Sequence, residues 1–374
     1  MHTNEYLFPD RLTRRDFLKS AATASASLAT GLAATGCAGG PKPAQPVVRL
    51  GSGHYTYETV LGWGELPLGM NYGFGCGIVV DGQDRVYVTS RSTSPCVAIF
   101  DRHGRLLETW SREFSNQVGL SLPQVADTAH CIYWSKEGQE EFFYWTENVS
   151  TNKEGPRVGA RVYKTDLRGK ILYQIGNVAQ EGSTAQKFDW TNPTDVAVAP
   201  NGDIYVVDGY GSQRVSRFTK NFKHLRTIGS RGKEHGQFNT CHGIWVKTLK
   251  DREPEIYIAD RHNGRIEIFD LELQYKRSLA DLVRMPCCFY QHKNHLYIPD
   301  LGSRVTILDA ADHLVAHLGD GKTAAGQDAP DNKTNPALFA APHALCVDSR
   351  GDFYVVEWVD FGRPRKFKHT PQEV

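Results

Sequence analysis

The chain has 374 residues, with 43 Lys plus Arg against 42 Asp plus Glu, a formal net charge of +1 and 40% hydrophobic residues. A balance this close to neutral, with no strongly basic block, gives no support for a nucleic-acid partner. Eight cysteines are scattered rather than framed, no Cys-x-x-Cys pair, phosphate-binding loop, dinucleotide fingerprint or nucleophile elbow is present, and the length supports a substantial core without disulfides.

Residues 1–36 read as an export signal. Thr13-Arg14-Arg15-Asp16-Phe17-Leu18-Lys19 precedes a mildly apolar, Ala-rich stretch over residues 21–36, the pattern of a twin-arginine leader that engages the twin-arginine export machinery. Ala34-Thr35-Gly36-Cys37 also has the form of a lipoprotein box, so the expected location is the periplasm or cell envelope, either released or lipid-anchored to the membrane through Cys37. Residues 37–46 are a Gly/Pro tether. Residues 47–374 then form one domain, expected as a monomer.

That domain is a sixfold repeat. The third copy reads Pro193-Thr-Asp-Val-Ala-Val-Ala-Pro-Asn-Gly202-Asp-Ile-Tyr-Val-Val-Asp208 and then Arg214-Val-Ser-Arg-Phe218; the fourth reads His242-Gly-Ile-Trp-Val, Ile256-Tyr-Ile-Ala-Asp260 and Arg265-Ile-Glu-Ile-Phe269. The first, fifth and sixth centre on Val86-Tyr-Val-Thr-Ser-Arg91, Leu296-Tyr-Ile-Pro-Asp300 and Phe353-Tyr-Val-Val-Glu357, and the most divergent is the second, around His130-Cys-Ile-Tyr-Trp and Phe143-Tyr-Trp-Thr-Glu147. Short alternating apolar runs with Gly and Asn/Asp turns predict antiparallel hairpins. Copies roughly 45 to 65 residues apart with about four strands each predict an all-β, six-bladed β-propeller. No long amphipathic helix is expected, and the strand-like residues 55–61 are expected to close the ring beside residues 365–369, hiding a sheet edge.

One repeat position reads Cys76, His130, Thr194, His242, Cys287, His343. Alternate blades lie a third of a turn apart, so the three histidines are expected to converge near the axis. First strands line a propeller's channel and second strands run back beside them, which brings Arg91 and Arg261, each just after a second strand, and Tyr210, one place later, to the same mouth. Three neutral imidazoles with an open fourth position form a zinc-type catalytic site. Cys76 and Cys287 are the alternative ligands, and Cys287-Cys288 is readable either as a vicinal disulfide or as two packed thiols.

These repeats look like NHL repeats, and the set resembles the catalytic core of the peptidyl-α-hydroxyglycine α-amidating lyases over most of residues 70–367. The matching stretches are Pro193-Thr-Asp-Val-Ala-Val with Asp208-Gly-Tyr210-Gly-Ser-Gln-Arg214, His242 with Ala259-Asp260-Arg261-His-Asn-Gly264-Arg265-Ile, Pro342-His343, and Ala129-His130-Cys-Ile-Tyr-Trp-Ser-Lys-Glu-Gly138. The resemblance implies a zinc ion held by His130, His242 and His343, Tyr210 as base, and Arg91 and Arg261 orienting a small anionic substrate that is cleaved to an amide and glyoxylate. The chain departs from that pattern where the family carries an acidic calcium ligand, which is Ala344 here, and at a methionine that is Ala341; both departures argue against calcium. The family's disulfide cysteines are Gly211 and Tyr257, and its monooxygenase domain has no counterpart in the sequence. Two functions are therefore compatible with the chain: a lyase for a small hydroxylated anion, or a noncatalytic NHL propeller that binds a protein or glycan at the envelope.

Overall fold

A computed structural model describes residues 47–151, 158–176, 186–320, 335–360 and 362–372. The expected export signal, Cys37, the expected tether and most of the connection between Gly319 and Ala341 lie outside those residues.

The described residues fold into six β-sheets taken in sequence, antiparallel except for the short parallel pairing of Gln186–Lys187 with Ile171–Gly176 in the second. Blade 1 is built from Gly75–Val80, Val86–Ser90, Val97–Phe100 and Leu106–Trp110; blade 3 from Asp195–Val198, Ile204–Asp208, Arg214–Phe218 and His224–Ile228; blade 4 from Cys241–Lys247, Glu255–Asp260, Arg265–Phe269 and Tyr275–Ala280. Blade 2 begins with the longest strands, Ala129–Glu137 and Glu140–Glu147, and blade 5 with the shortest inner strand, Tyr290–His292. Blade 6 combines Pro342–Val347, Phe353–Glu357 and Arg365–His369 with the N-terminal Tyr57–Val60 and Arg49–Leu50. Tyr57 pairs with His369 and Val60 with Lys366, so the ring closes as its sequence predicts.

Each blade buries both faces, and this is why its strands are apolar almost throughout. Alternation sends successive residues of a strand to opposite neighbours: Ile256 and Ile258 pack toward blade 3, whereas Tyr257 and Ala259 pack toward blade 5. One hydrophobic cluster fills each of the six inter-blade interfaces. Tyr87, Tyr144, Tyr205, Tyr257, Tyr297 and Tyr354 recur at one second-strand position with 0–4% exposure. Their hydroxyls find partners, as buried phenols must: Tyr144 donates to Glu137, Tyr354 to Asp348, and Tyr297 hydrogen-bonds Tyr57.

Two seven-residue helices, Arg112–Val118 and Leu122–Thr128, stand between blades 1 and 2. The second begins in a capping box formed by Ser121 and Gln124, and the first ends on Gly119 in the left-handed conformation (φ 68°). Phe114, Val118 and Val125 anchor the pair to the blade 1–2 cluster. No described helix is long and apolar enough to cross a membrane. Cys287 and Cys288 are both free thiols, as are the other five cysteines among the described residues.

Candidate functional site

Each of the three histidines sits at a break in the register of its inner strand. Pairing skips from Ala129 to Ile132, from Cys241 to Ile244 and from Pro342 to Ala344, leaving His130, His242 and His343 in bulges. A bulge bends its strand and re-aims a side chain. All three imidazoles are 0–2% exposed, and their rings lie edge to face with centroids 4.8–5.2 Å apart.

The other three members of the repeat position act through their carbonyls. His130 Nδ1 meets the Thr194 oxygen at 2.5 Å, His242 Nδ1 meets that of Cys287 at 2.8 Å, and His343 Nδ1 meets that of Cys76 at 2.6 Å. A carbonyl only accepts, so each Nδ1 carries the proton and each Nε2 presents a lone pair, the outer-sphere arrangement that orients metal-binding histidines. Gly243 permits one of these contacts, because a Cβ there would stand 2.3 Å from the Cys287 oxygen. The Cys76 thiol instead donates to the Phe74 and Ala129 carbonyls.

With the tautomers fixed in this way, His130 Nε2 and His242 Nε2 face each other as two acceptors only 3.2 Å apart, and His343 Nε2 is buried with no partner. A cation between them resolves both features. Two nitrogens about 2.0–2.1 Å from a tetrahedral zinc stand roughly 3.3 Å apart, which matches the observed gap, and one ligand atom from each of the three histidines lies within 4.8 Å of the others.

A second ring of side chains surrounds this centre. At the residue following each second strand, a backbone N–H returns to the carbonyl two places before the histidine/cysteine position: Arg91 to Phe74, Asn148 to Thr128, Arg261 to Thr240, Leu301 to Met285 and Trp358 to Ala341. In blade 3 this bond comes from Tyr210, one residue later, and reaches Asn192. Two glycines make that offset possible. A Cβ on Gly209 would lie 1.8 Å from the Cys241 oxygen, and one on Gly211 would lie 2.2 Å from Thr191 Cγ2.

Although Tyr210 as a residue is 40% exposed, its hydroxyl points inward and donates to His242 Nε2 at 3.0 Å. Arg261 Nη1 donates to the same phenol oxygen at 3.3 Å and Nη2 approaches Cys287 Sγ at 3.1 Å. Arg91 donates to Asn148 Oδ1 at 3.2 Å, reaches Asp127 at 4.0 Å and lies over the Trp358 ring, which stacks on His343. Arg91 Nε and Arg261 Nε are both buried without a hydrogen-bond partner. Unused guanidinium donors beside three imidazoles suit an anion.

The electrostatics follow from burial. Desolvation, then electrostatic coupling to His343, Arg91 and Arg261, hold His130 well below the ordinary histidine value despite its bond to Thr194. Burial followed by Arg261, His130 and His343 does the same to His242. Both imidazoles are therefore neutral and able to ligate near pH 7. Burial raises the Tyr210 phenol above its usual value, and Arg261 pulls in the opposite direction. Asp127 stays below the usual carboxylate value despite partial burial, because Ser150, Thr151 and Arg91 stabilise its charge.

All six residues singled out from the sequence thus meet at one mouth: His130, His242, His343, Tyr210, Arg91 and Arg261. Asn148, Trp358 and Asp127 join them without having been singled out. The first two occupy the same repeat register as Arg91 and Arg261, which is the signal that finds them. Asp127 is carried in by the short helix, outside the repeat. A cavity of about 730 Å³ belongs to the opposite end of the channel, and its lining includes none of the three histidines.

The strand order defines the chain as a six-bladed β-propeller, and the NHL repeat family model matches residues 191–218, within the third blade and the connection leading into it. The chain is similar to NHL repeat-containing protein 3 of Homo sapiens, with 25% identity over 217 residues, 57% of this chain and 56% of that protein. It is also similar to a probable peptidyl-alpha-hydroxyglycine alpha-amidating lyase of Caenorhabditis elegans, with 29% identity over 133 residues, 35% of this chain and 34% of the other. The matched regions thus span about half and about a third of these relatives. Among solved structures, virginiamycin B lyase from Staphylococcus aureus shares the fold, with TM-score 0.50 and 12% identity, covering 80% of this chain and 97% of that one.

Proposed function

We propose that the chain is a zinc-dependent lyase that cleaves small anionic carbinolamides or related hydroxy compounds. The observation that carries this reading is the pair of Nε2 lone pairs facing each other at 3.2 Å with the Tyr210 hydroxyl 3.0 Å from one of them. A zinc ion held by His130, His242 and His343 would supply Lewis acidity to a substrate oxygen. Tyr210 would take the proton of the substrate hydroxyl as the phenolate, a form that burial disfavours and the neighbouring Arg261 favours. The carbon–oxygen double bond then forms as the carbon–nitrogen bond breaks, and Tyr210 returns the proton to the departing nitrogen. Arg91 and Arg261 offer their unpartnered Nε groups to a carboxylate, and Trp358 walls the site beside His343.

The lyase name of the Caenorhabditis elegans relative agrees with this chemistry. The twin-arginine pattern at residues 13–19 supports a place of action outside the cytoplasm, with the chain acting as a monomer. The test is metal content by elemental analysis together with turnover of an N-acyl-α-hydroxyglycine. The expected result is near-stoichiometric zinc, lost in His130→Ala, His242→Ala and His343→Ala, and release of glyoxylate by the zinc-bearing protein. Zinc-free protein that takes up no added zinc and yields no glyoxylate would overturn the proposal in favour of a noncatalytic binding propeller.

A further inference from the structure

One residue beyond each member of the histidine/cysteine position, the repeat reads Gly77, Cys131, Asp195, Gly243, Cys288, Ala344. Three of these carry almost no side chain, and the other three are metal-ligating types. All six are buried, and all but Gly243 line the cavity at the opposite end of the channel from Tyr210 and the arginines. The channel therefore has a second layer of donors beneath the three histidines, with an approach of its own.

The donors are near each other. Cys131 Sγ and Cys288 Sγ are 3.6 Å apart although their strands belong to blades on opposite sides of the ring. Two thiolates each about 2.3 Å from a tetrahedral zinc stand roughly 3.8 Å apart. Asp195, one blade on from Cys131, lines the same cavity as both sulfurs. Its carboxylate is pinned by backbone donors, Val196 N–H to Oδ1 at 2.9 Å and Ile244 N–H to Oδ2 at 3.1 Å. Each oxygen keeps a further lone pair. A nitrogen of His343 lies within 4.8 Å of both sulfurs, marking where this layer abuts the one above.

We propose that Cys131 and Cys288 form a second metal site, of two thiolate donors with the Asp195 carboxylate on the same cavity wall as an outer partner, for a soft or borderline divalent cation entering from the face opposite the histidine mouth. Two sulfurs suit zinc or cadmium, whereas the hard cations calcium and magnesium require oxygen ligands. The site is separate from the lyase reading, because Cys131, Cys288 and Asp195 all line the cavity at the opposite end of the channel from Tyr210 and the arginines.

The test is a Cd²⁺ titration of the metal-stripped protein under reducing conditions, following the ultraviolet thiolate-to-cadmium charge-transfer band and the number of ions bound. Wild-type protein is expected to bind two ions and to show the band. Cys131→Ser and Cys288→Ser should each lose the band and one ion, while His242→Ala should lose the other ion and keep the band. Asp195→Asn, which keeps both thiols, provides a second measure if a cysteine variant does not fold. Its Cd²⁺ affinity should fall by about 10–100-fold, the cost of an outer-shell change. A band absent from wild type, or unchanged in both cysteine variants, would refute the site. So would a protein isolated without reductant with Cys131 and Cys288 joined and two hydrogen masses missing, which would assign the pair to a disulfide.

Discussion

The side chains at the histidine mouth divide the work by chemical type. Tyr210 contributes a single oxygen that touches both His242 and Arg261, so Tyr210→Phe removes the proton acceptor and keeps the ring that fills the space. The expected result is normal zinc content and a kcat reduced about 10²–10⁴-fold, the range of a general base; unchanged turnover of an N-acyl-α-hydroxyglycine would exclude Tyr210 from the chemistry. Much of this site is legible in the sequence, because alternation of histidine with Cys or Thr around a sixfold repeat admits few other geometries. The tautomers are not legible, since they depend on which carbonyl each Nδ1 meets. Trp358 and Asn148 escape notice for another reason: neither residue type suggests catalysis until its register with Arg91 and Arg261 is drawn.

At the scale of the element, the inner strands matter chiefly where they are irregular. Alternation of apolar residues is enough to predict the hairpins, yet it carries no mark of the single-residue bulges that turn His130, His242 and His343 toward one point. The helix Leu122–Thr128 does leave a mark, Ser121 with Gln124 three places on, but seven residues are too few for an amphipathic period. Close approach of neighbouring strands yields a sharper expectation at Gly243, where an added Cβ would meet the Cys287 oxygen at 2.3 Å and Cys288 Cα at 2.7 Å. Both are backbone atoms, so blades 4 and 5 must part. Gly243→Ala is expected to cost about 1–3 kcal/mol in denaturant unfolding and to weaken zinc binding by displacing the acceptor that orients His242. Full stability with full zinc affinity would show that the backbone yields without loss.

At the scale of the whole molecule, stability depends on each blade staying against the next. Between blades 4 and 5, Arg277 binds Glu255 at 2.7 Å and Asp312 at 2.6 Å, while Lys247 reaches Asp312 at 2.5 Å. Hydrogen bonds from Arg277, opposed by burial and reinforced by Lys276, hold the Glu255 carboxyl down to about 2 from 4.5. A depressed folded value means that the stabilisation is complete above pH 4.5 and is lost as pH falls toward about 2. Glu255→Gln should therefore flatten the acid limb of stability in that window and leave its slope near neutrality unchanged; an unaltered acid limb would assign the sensitivity to other groups. Closure of the ring is the larger dependence. Tyr57–Val60 covers the edge of Arg365–His369, and Tyr57 is 1% exposed, bonded to Tyr297 of blade 5 at 3.0 Å. The new edge is the two-residue strand Arg49–Leu50, guarded by the Arg49–Glu58 ion pair, which makes it a poor template for another chain. Removing residues 47–60 loses the aromatic anchor, at about 3–5 kcal/mol by analogy with Phe→Ala in a core, and exposes the long edge it covered. The expected outcome is a thermal midpoint lower by roughly 5–10 °C with concentration-dependent light scattering, against a near-normal midpoint in Tyr57→Phe, which loses only the hydroxyl contact. A truncated chain that melts like the whole one and stays monomeric would mean that the six blades hold together through their interfaces alone.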